Sequence, residues 1–281
     1  MSCKIKEYAE ELQATAKKLA TFGKGILAVD ESTNTCGKRL ADIGLENTEE
    51  NRQAYRGMLF TAPDLGEYIS GAILFEETLY QNHADGESMV EKLNKQGIIP
   101  GIKVDKCLKP LVGALHHETY CSGLDGLTER AQEYYKQGAR FAKWRAVLQI
   151  TEDGPSDFAI KENAWGLARY ARAVQEAGLV PIVEPEILMD GDHHIEKTAA
   201  VQERVIKEVY AACATAGVLL EGTFRKPSMT VCGAECPDQA DYKHVAGYTI
   251  RPLLRSVAAA VAGINFLSGR LSEEAASIYL N

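Results

Sequence analysis

Helical and apolar patterns alternate along the whole chain. The first is helical, because Tyr8, Leu12, Ala16 and Leu19 recur at close to the spacing of one helical turn. Later helical patterns contain Ile160, Ala164, Leu167, Ala168, Ala171 and Val174, and then Val201, Val205, Ile206 and Val209. Each of these patterns predicts a helix with one apolar face.

Seven apolar runs accompany these helical patterns, and each begins at a glycine. The runs are GILAVD, GAILFEE, GIIPGIKVD, GARFAKWR, GLVPIVEPE, GVLLEGT and GINFLSG, starting at Gly25, Gly71, Gly97, Gly138, Gly178, Gly217 and Gly263. A glycine directly after a helix is typical of a left-handed cap, so the pattern predicts repeated helix, glycine and strand. The strands are apolar almost throughout, which favours a parallel sheet buried on both faces. An open doubly wound sheet and a (β/α)8 barrel both satisfy this pattern.

Polar residues at the carboxyl ends of the predicted strands favour the barrel. They are Asp30, Glu76, Lys103, Asp105, Lys143, Arg145, Glu184, Glu186, Glu221, Lys226, Ser268 and Gly269. Residues two apart on a strand share a face, and one face of a barrel is its interior, so these groups converge at one mouth. An open sheet gathers ligands at a single switch point and needs no polar end on every strand. We therefore predict an α/β fold, a TIM (β/α)8 barrel, as a single domain over residues 1–281.

Only seven strands of such a barrel can be recognised in the sequence. Twelve residues remain after Gly269, and the segment SEEAASIYLN is predicted to form one short helix. A parallel barrel without one strand has two unpaired edges and a core open to water. We expect that a strand comes from elsewhere, that the sheet stays open, or that the chain is a C-terminally truncated version of a larger fold.

Composition and charge exclude some classes of function. The chain has 281 residues, 46% hydrophobic and 25% charged, with a formal net charge of -8. Nucleic-acid-binding surfaces are usually basic, so no nucleic acid partner is predicted, although a local basic cluster can still bind a small anion. No apolar run is long enough to span a membrane, and the start MSCKIKEYAEEL lacks a signal-peptide core. We therefore expect a cytoplasmic protein without a membrane partner.

Cysteine and histidine spacing indicates no metal site. The seven cysteines form no zinc-ligand pattern, and without a secretory signal they are interpreted as reduced thiols. The adjacent pairs His116-His117 and His193-His194 have no HExxH-type spacing. We predict neither a metal nor a cofactor.

Lys226 is the leading candidate for a nucleophile. It lies in VLLEGTFRKPSM, just past the predicted end of a buried strand, where desolvation and neighbouring cations can lower the pKa of a lysine. A neutral amine attacks a ketone to form an iminium, which accepts electrons when the adjacent carbon–carbon bond breaks, and a carboxylate can carry the protons. The alternatives are a solvated loop lysine and a purely structural ion pair between Lys143 and Glu184. The catalytic interpretation is favoured by six ionisable strand-end residues: Lys226, Glu184, Glu186, Lys143, Arg145 and Asp30.

Eleven short segments follow one another in an order that is characteristic of one enzyme family. They are GKGILAVDES, KRL, ENTEENR, ILFEETLYQ, GIKVDK, GLDGL, FAKWR, PIVEPEI, LLEGT, KPSM and FLSG. Through them the chain closely resembles the class I, Schiff-base fructose-bisphosphate aldolases over essentially all 281 residues, and looks most like the plant and algal cytosolic branch. The resemblance implies a lyase of glycolysis and gluconeogenesis that reversibly cleaves fructose 1,6-bisphosphate to dihydroxyacetone phosphate and glyceraldehyde 3-phosphate. It also implies sugar phosphates as ligands, no metal, and the homotetramer of the family.

The resemblance further implies roles for individual residues. Lys226 would form the Schiff base with the C2 ketone, and Glu184 would carry protons for carbinolamine dehydration and C3–C4 cleavage. Asp30 would deprotonate the C4 hydroxyl, with Lys143 stabilising charge there. The supporting and substrate-binding residues would be Glu186, Arg145 and Lys103, with Lys38, Arg39 and Arg52 toward the 6-phosphate and Ser268 and Gly269 at the 1-phosphate.

The chain departs from the family pattern at several places. Arg270 stands where the family has the second glycine of SGG, and Phe224-Arg225 stands where it has two leucines, with Arg225 expected to face away from the site. Pro252 interrupts a helical pattern and is expected to kink or end that helix. The family's eighth strand, phosphate-binding arginine and C-terminal tyrosine tail have no counterpart. Two hypotheses follow: Arg270 partly replaces the phosphate arginine, or the chain is a catalytically impaired, truncated aldolase-like protein that binds or scaffolds.

Overall fold

The computed structural model describes residues 3–281 and places six strands in one parallel sheet. In chain order the strands are β1 (Gly25–Val29), β2 (Ile69–Leu74), β3 (Ile99–Lys103), β4 (Cys107–Pro110), β5 (Thr119–Ser122), β6 (Phe141–Leu148), β7 (Val180–Ile187) and β8 (Phe224–Arg225). The order across the sheet is β1-β2-β3-β6-β7-β8, and every pairing in it is parallel. The predicted α/β class and parallel sheet of the barrel type are confirmed.

The apolar runs of β2, β6 and β7 form strands that are almost wholly buried, whereas in β1 only Val29 is buried. Every residue of β7 is buried, and Arg145 is the one half-buried residue of β6. The register of these two strands aligns Lys143 with Ile182 and Arg145 with Glu184. The polar ends of neighbouring strands therefore lie side by side.

Glycines between helices and strands have the predicted left-handed backbone at four positions. These are Gly97, Gly138, Gly178 and Gly217, with φ angles of 72°, 109°, 84° and 69°. An L-residue with a side chain rarely adopts this conformation, so each glycine ends its helix without strain. Gly101 in β3 serves a different purpose, because a Cβ there would lie 2.2 Å from the ring of Phe141 on the neighbouring strand.

The run GVLLEGT is not a strand, contrary to the prediction. Leu220–Gly222 is a short 3-10 helix, and β8 begins only after it. The side-chain amide of Gln175 bonds both the N–H and the C=O of Leu219, which removes those backbone groups from the sheet ladder. Glu221 consequently lies exposed before β8 and not at its carboxyl end.

The run GINFLSG lies beside β8 but makes only isolated parallel bridges. Arg225 bridges to Ile264, and Ser228 bridges to Leu267. Between them Pro227 has no N–H to donate, and this interrupts the ladder. The prediction of seven strands is therefore correct in part: the sheet has six strands and one bridged segment.

Eleven α-helices lie within residues 3–281. They are α1 (Cys3–Leu19), α2 (Thr33–Asp42), α3 (Glu49–Phe60), α4 (Leu65–Tyr68), α5 (Glu76–Leu79), α6 (Met89–Lys95), α7 (Leu127–Lys136), α8 (Asp157–Gln175), α9 (Ile195–Thr215), α10 (Tyr242–Ser256) and α11 (Glu273–Leu280). The helical patterns correspond to α1, α8 and α9, and the apolar positions that predicted α8 and α9 are buried. The predicted final helix is confirmed as α11.

A kink or an end of the helix was predicted at Pro252; helix α10 continues through it to Ser256, so an end at this proline is wrong, and the kink stays a prediction. A proline costs the helix one hydrogen bond. Pro252 is buried, and the next residue, Leu253, packs with Ile206 and Tyr210 of α9. This packing holds the helix together across the missing bond.

Helix α1 covers the amino ends of the strands. Leu12 and Leu19 of α1 pack with Phe141 and Val180, the first residues of β6 and β7, so apolar side chains cover the amino ends of the strands. The antiparallel hairpin β4–β5 was not predicted, because β4 is exposed along its length and carries no apolar pattern.

Within residues 3–281, no helix combines the length and the apolar character that crossing a membrane requires.

Candidate active site

A cavity of about 640 Å³ opens at the carboxyl ends of the strands, where a barrel active site is expected. Nine predicted site residues line it: Arg39, Lys143, Arg145, Glu184, Glu186, Lys226, Ser268, Gly269 and Arg270. They come from α2, β6, β7, the segment after β8 and the end of the bridged run. Side chains from distant parts of the chain therefore meet in one space.

Lys226 projects into this cavity from the segment directly after β8. Its N–H donates to the C=O of Val183 at 3.1 Å, which continues the parallel ladder one residue beyond Arg225. Neighbouring residues on an extended segment point to opposite faces. The side chain of Arg225 is accordingly buried near Tyr210 and Cys213 of α9, and its predicted orientation away from the cavity is confirmed.

Four charged side chains form a continuous series of contacts; Lys226, Glu184 and Lys143 line the cavity, and Asp30, at the end of the series, does not. The Nζ atom of Lys226 lies 2.9 Å from Oε1 of Glu184, whose Oε2 lies 3.2 Å from Nζ of Lys143. The same Nζ of Lys143 lies 3.0 Å from Oδ2 of Asp30. A proton released at Lys226 can therefore pass directly to a carboxylate that a second ammonium group holds in place.

Burial and ion pairing set the charge states in this series. Burial opposes ionisation of Asp30, but the adjacent Lys143 ammonium outweighs it and the pKa of Asp30 is lower than usual. Burial likewise opposes the charge of Lys143, and the carboxylates of Glu184 and Asp30 overcome it and raise the pKa of Lys143. Lys143 is thus a stable cation beside an ionised Asp30 at neutral pH.

Two further ion pairs support the ends of the strands. Arg145 Nε donates to Oε2 of the buried Glu186; burial opposes the charge of Arg145, and Glu186 outweighs it and raises the arginine pKa. Lys103 Nζ lies 2.5 Å from Oδ1 of Asp105, whose Oδ2 accepts the N–H of Arg145 at 3.3 Å. Within residues 3–281, no three His, Cys, Asp or Glu side chains, these included, are arranged to hold a metal ion.

The rim of the cavity carries three residues that were predicted to bind phosphate. Gly269 has a left-handed φ of 61°, and the N–H of Leu271 donates to the C=O of Ser268 at 3.1 Å, so this segment turns tightly. Arg270 Nη1 is ion-paired with Oδ1 of Asp190 at 2.9 Å, and the arginine side chain is 70% exposed. The Oδ2 atom of Asp190 is buried without a hydrogen-bond partner.

Three of the predicted substrate-binding residues do not line the cavity. Arg52 is buried on α3, where its Nε and Nη2 atoms donate to the two carboxylate oxygens of Glu77 at 2.9 and 2.6 Å. Lys38 is exposed on α2. Lys103 contributes to the site through its charge, which helps to lower the pKa of Asp30. The engaged guanidinium of Arg52 gives a physical reason why it is not free to meet a ligand.

The sequence did not single out Asp190, Ser228 or Glu31. Asp190 and Ser228 line the cavity, and Glu31 pairs with Arg39 at 2.8 Å. Their position in the chain could have indicated a place in the site, because Asp190 and Ser228 closely follow the ends of β7 and β8. An isolated Asp or Ser in a loop does not reveal which distant residue it will meet.

Comparison with known proteins points to one family. A model described as fructose-bisphosphate aldolase class-I matches residues 11–281. The chain is 58% identical over 274 residues to the chloroplastic fructose-bisphosphate aldolase 1 of Arabidopsis thaliana, a match that covers 98% of this chain and 68% of that protein. It is 59% identical over 274 residues to the chloroplastic aldolase 1 of Pisum sativum, covering 98% and 76%. A solved structure of Plasmodium falciparum fructose-bisphosphate aldolase, in complex with TRAP and a small molecule inhibitor, has a TM-score of 0.96 at 53% identity, covering 98% and 79%.

The relatives correct the predicted compartment. Those from Arabidopsis thaliana and Pisum sativum are chloroplastic, and so is a relative from Chlamydomonas reinhardtii that is 55% identical. The predicted cytoplasmic location is therefore wrong, and the likeness to a cytosolic branch is not supported. The location had been inferred from the absence of a signal-peptide core and of an apolar run long enough to span a membrane, and these absences do not distinguish the cytosol from a plastid.

Proposed function

The chain belongs to the class I fructose-bisphosphate aldolase family, and on this basis we propose that it acts through a Schiff base on Lys226. The reaction of this carbon–carbon lyase is the reversible cleavage of fructose 1,6-bisphosphate to dihydroxyacetone phosphate and glyceraldehyde 3-phosphate. The observation that carries the proposal is the series of contacts from Lys226 through Glu184 and Lys143 to Asp30.

Formation of the Schiff base begins with loss of a proton from Lys226. Glu184, at 2.9 Å, accepts it, and the free amine attacks the C2 ketone of the open-chain sugar. Glu184 then returns a proton to the carbinolamine hydroxyl, which leaves as water and gives the iminium. The contact with Lys143 keeps Glu184 between the two amines throughout.

Cleavage of the C3–C4 bond uses the other end of the series. Asp30 removes the proton of the C4 hydroxyl, the bond breaks, and its electron pair moves into the iminium, releasing glyceraldehyde 3-phosphate and leaving an enamine. Lys143, 3.0 Å from Asp30, stabilises the charge that develops there. The enamine gains a proton at C3, and hydrolysis of the resulting iminium releases dihydroxyacetone phosphate and restores Lys226.

Basic and backbone groups at the rim suit the two phosphates of the substrate. We assign the 1-phosphate to Ser268, Gly269 and Arg270, and the 6-phosphate to Arg39, all of which line the cavity. A bound phosphate competes with Asp190 for Arg270, because both offer anionic oxygens to the guanidinium.

Lys38, Arg52 and Lys103 stay predictions as substrate-binding residues. Arg52 has to leave Glu77 before it can bind a phosphate, which favours a structural role. We assign Glu186 and Arg145 a supporting role, because their ion pair lies in the cavity next to Glu184.

We also propose a plastid location, on the strength of the chloroplastic relatives. The test is detection of the chain by antibody in purified plastids and in the soluble cytosolic fraction of the same cells. Recovery in the cytosolic fraction alone would reject this location.

Borohydride trapping tests the Schiff base directly. The protein is incubated with dihydroxyacetone phosphate and then with sodium borohydride, which reduces an iminium to a stable secondary amine. Peptide mass mapping is expected to find the adduct on Lys226. The variant Lys161→Met, which removes an exposed lysine of α8 outside the cavity, should keep the adduct, and Lys226→Met should lose it.

A parallel cleavage assay with fructose 1,6-bisphosphate separates the aldolase from the alternative of an impaired binding or scaffolding protein. An adduct together with turnover supports the enzyme. An adduct without turnover, in protein that a urea melt shows to be folded, favours the alternative. An unmodified Lys226 in folded protein would contradict the Schiff-base mechanism.

A further inference from the structure

A pair of buried thiols lies outside the proposed catalytic series. Cys232 and Cys236 are 3% and 5% exposed, in the loop that follows Lys226. The Sγ atom of each lies 3.6 Å from the carbonyl oxygen of Asp238, so the two sulfur atoms approach the same backbone acceptor. Two sulfur atoms of one short loop that share an acceptor are close enough for a local adjustment of that loop to bring them to bonding distance.

His194 lies beside one member of this pair. Its Nδ1 is 3.5 Å from Sγ of Cys236, and its ring is exposed to solvent. The thiolate is the nucleophile in disulfide exchange, so a neighbouring imidazole that takes the thiol proton promotes the reaction. Burial raises the pKa of Cys236, which makes a proton acceptor at this distance the more important.

The loop that holds the thiols is bonded along its backbone to the loop after β7. The N–H of Ala234 donates to the C=O of Met189 at 2.6 Å, and the N–H of Glu235 donates to that of Gly191 at 2.9 Å. A Cβ at Gly233 would lie 2.1 Å from the carbonyl oxygen of Gly191, so the two loops touch where no side chain fits. A movement of one loop therefore displaces the other.

Both loops also form walls of the cavity. Asp190, next to the bonded Gly191, lines the cavity and holds Arg270 at 2.9 Å. Met229 and Val231, which precede the thiol pair in the other loop, also line the cavity. The backbone around the two cysteines is thus connected to the cavity from two directions.

We propose that Cys232 and Cys236 form a reversible disulfide that weakens substrate binding in this cavity. The oxidant is a small disulfide of the glutathione class. The coupling to substrate binding rests on the aldolase function proposed above, whereas formation of the disulfide does not.

The exchange balances without any further reactant. The Cys236 thiol gives its proton to His194, and the thiolate attacks one sulfur of oxidised glutathione, releasing one glutathione that takes up a proton. The Cys232 thiol then loses its proton to water, and its thiolate attacks the Cys236 sulfur of the mixed disulfide and releases the second glutathione, which takes up a proton in turn. Two protein thiols are oxidised to one disulfide, and one glutathione disulfide is reduced to two thiols.

Cys107 and Cys121 of the hairpin do not face each other as a second pair, and Cys36 is buried on α2. Cys107 is opposite Ser122 in the hairpin, and Cys121 is opposite Leu108. Adjacent positions of a strand point to opposite faces, so Cys107 is exposed while Cys121 is buried. Cys213 is buried on α9 and provides a matched control for removal of a buried thiol.

Peptide mass mapping tests whether the disulfide forms. Trypsin cleaves after Arg225 and after Lys243 but not after Lys226, because a proline follows it. Both cysteines therefore fall in one peptide, which runs from Lys226 to Lys243. The protein is treated with oxidised glutathione and alkylated. We expect this peptide without alkyl groups and lighter by two hydrogen atoms, and reversal by dithiothreitol. Alkylation of both cysteines, or a retained glutathione on either, overturns the proposal.

Steady-state kinetics tests the coupling. Oxidation is expected to raise KM for fructose 1,6-bisphosphate several-fold with a smaller effect on kcat, and dithiothreitol is expected to restore it. Cys232→Ser and Cys236→Ser should each abolish the effect, and Cys213→Ser should retain it. An unchanged KM in protein that mass mapping shows to be oxidised overturns the coupling. Absence of turnover in the reduced protein tells against the proposed function instead, and the mass mapping still decides whether the disulfide forms.

Discussion

Arg225 and Lys226 are adjacent in sequence but lie in opposite surroundings. Lys226 faces the cavity, 2.9 Å from a carboxylate oxygen of Glu184. Arg225 faces α9, is fully buried, and has no hydrogen-bond partner for its Nε and Nη1 atoms. Burial lowers the pKa of Arg225, and the nearby Tyr210 and Cys213 do not offset that effect.

The difference shows that a buried cation is useful only where the fold supplies a partner. On the cavity face, neighbouring strands end in carboxylates that hold the lysine and can take its proton. On the helix face, the neighbours are apolar or weakly polar side chains, and the guanidinium adds a desolvation cost without a compensating ion pair. One face of the same segment therefore carries the chemistry while the other lowers stability.

The largest expected effect comes from removing the cation on the cavity face. Lys226→Met eliminates the amine that forms the Schiff base, and kcat should fall by about 10⁴-fold or more. The urea midpoint should change little, because Glu184 keeps its contact with Lys143. Steady-state assays and a urea melt check both points, with Lys161→Met, which removes an exposed lysine of α8 outside the cavity, as the control. Retention of more than about a hundredth of the activity would contradict the assignment.

The partner carboxylate should matter somewhat less. In Glu184→Gln the amide can still hydrogen-bond to Lys226 but cannot carry a proton, so kcat should fall by about 10²–10⁴-fold. Borohydride trapping should also become slow, because carbinolamine dehydration depends on the same carboxylate. Glu186→Gln, two residues away on β7, is the matched control and is expected to retain more activity. Equal losses in the two variants would reject Glu184 as the proton carrier.

On the helix face, removal of the charge should stabilise the protein. Arg225→Leu replaces an unpaired guanidinium with an apolar side chain and should raise the free energy of unfolding by about 1–4 kcal/mol. The activity should stay unchanged, because this side chain does not reach the cavity. Urea unfolding measures the first effect, and Arg225→Lys, which keeps a buried cation, should not reproduce it. A lower midpoint for Arg225→Leu would mean that the arginine has a stabilising partner.

The smallest expected effect concerns the cation at the rim. Arg270 is largely exposed, so its phosphate contact is screened by water, and Arg270→Gly should raise KM several-fold, by about 1 kcal/mol. Asp190→Asn frees the arginine from its ion pair and should leave KM unchanged or lower it. If Arg270→Gly binds substrate as well as the parent protein, Arg270 does not take part in phosphate binding.

The amino-acid sequence alone determined the class of the fold and pointed to most residues of the proposed site. Glycines between helical and apolar patterns marked the helices and most of the strands, because helix capping and strand burial are local properties. The polar residues after those strands led to Lys226, Glu184, Lys143 and Asp30, since the carboxyl ends of parallel strands must meet at one end of a barrel.

Only the tertiary structure decided which charged residues meet. Arg39 and Arg52 both looked like phosphate ligands, but Glu77 engages Arg52 while Arg39 lines the cavity. Gln175 turns GVLLEGT away from the sheet, and α9 supports α10 past its proline. These outcomes depend on side chains that are distant in sequence and that touch only after folding, whereas a sequence pattern records the period and polarity of neighbours. The same limit explains why the short spacing of Cys232 and Cys236 in the sequence indicated only two loop thiols and not their shared contact with the carbonyl oxygen of Asp238.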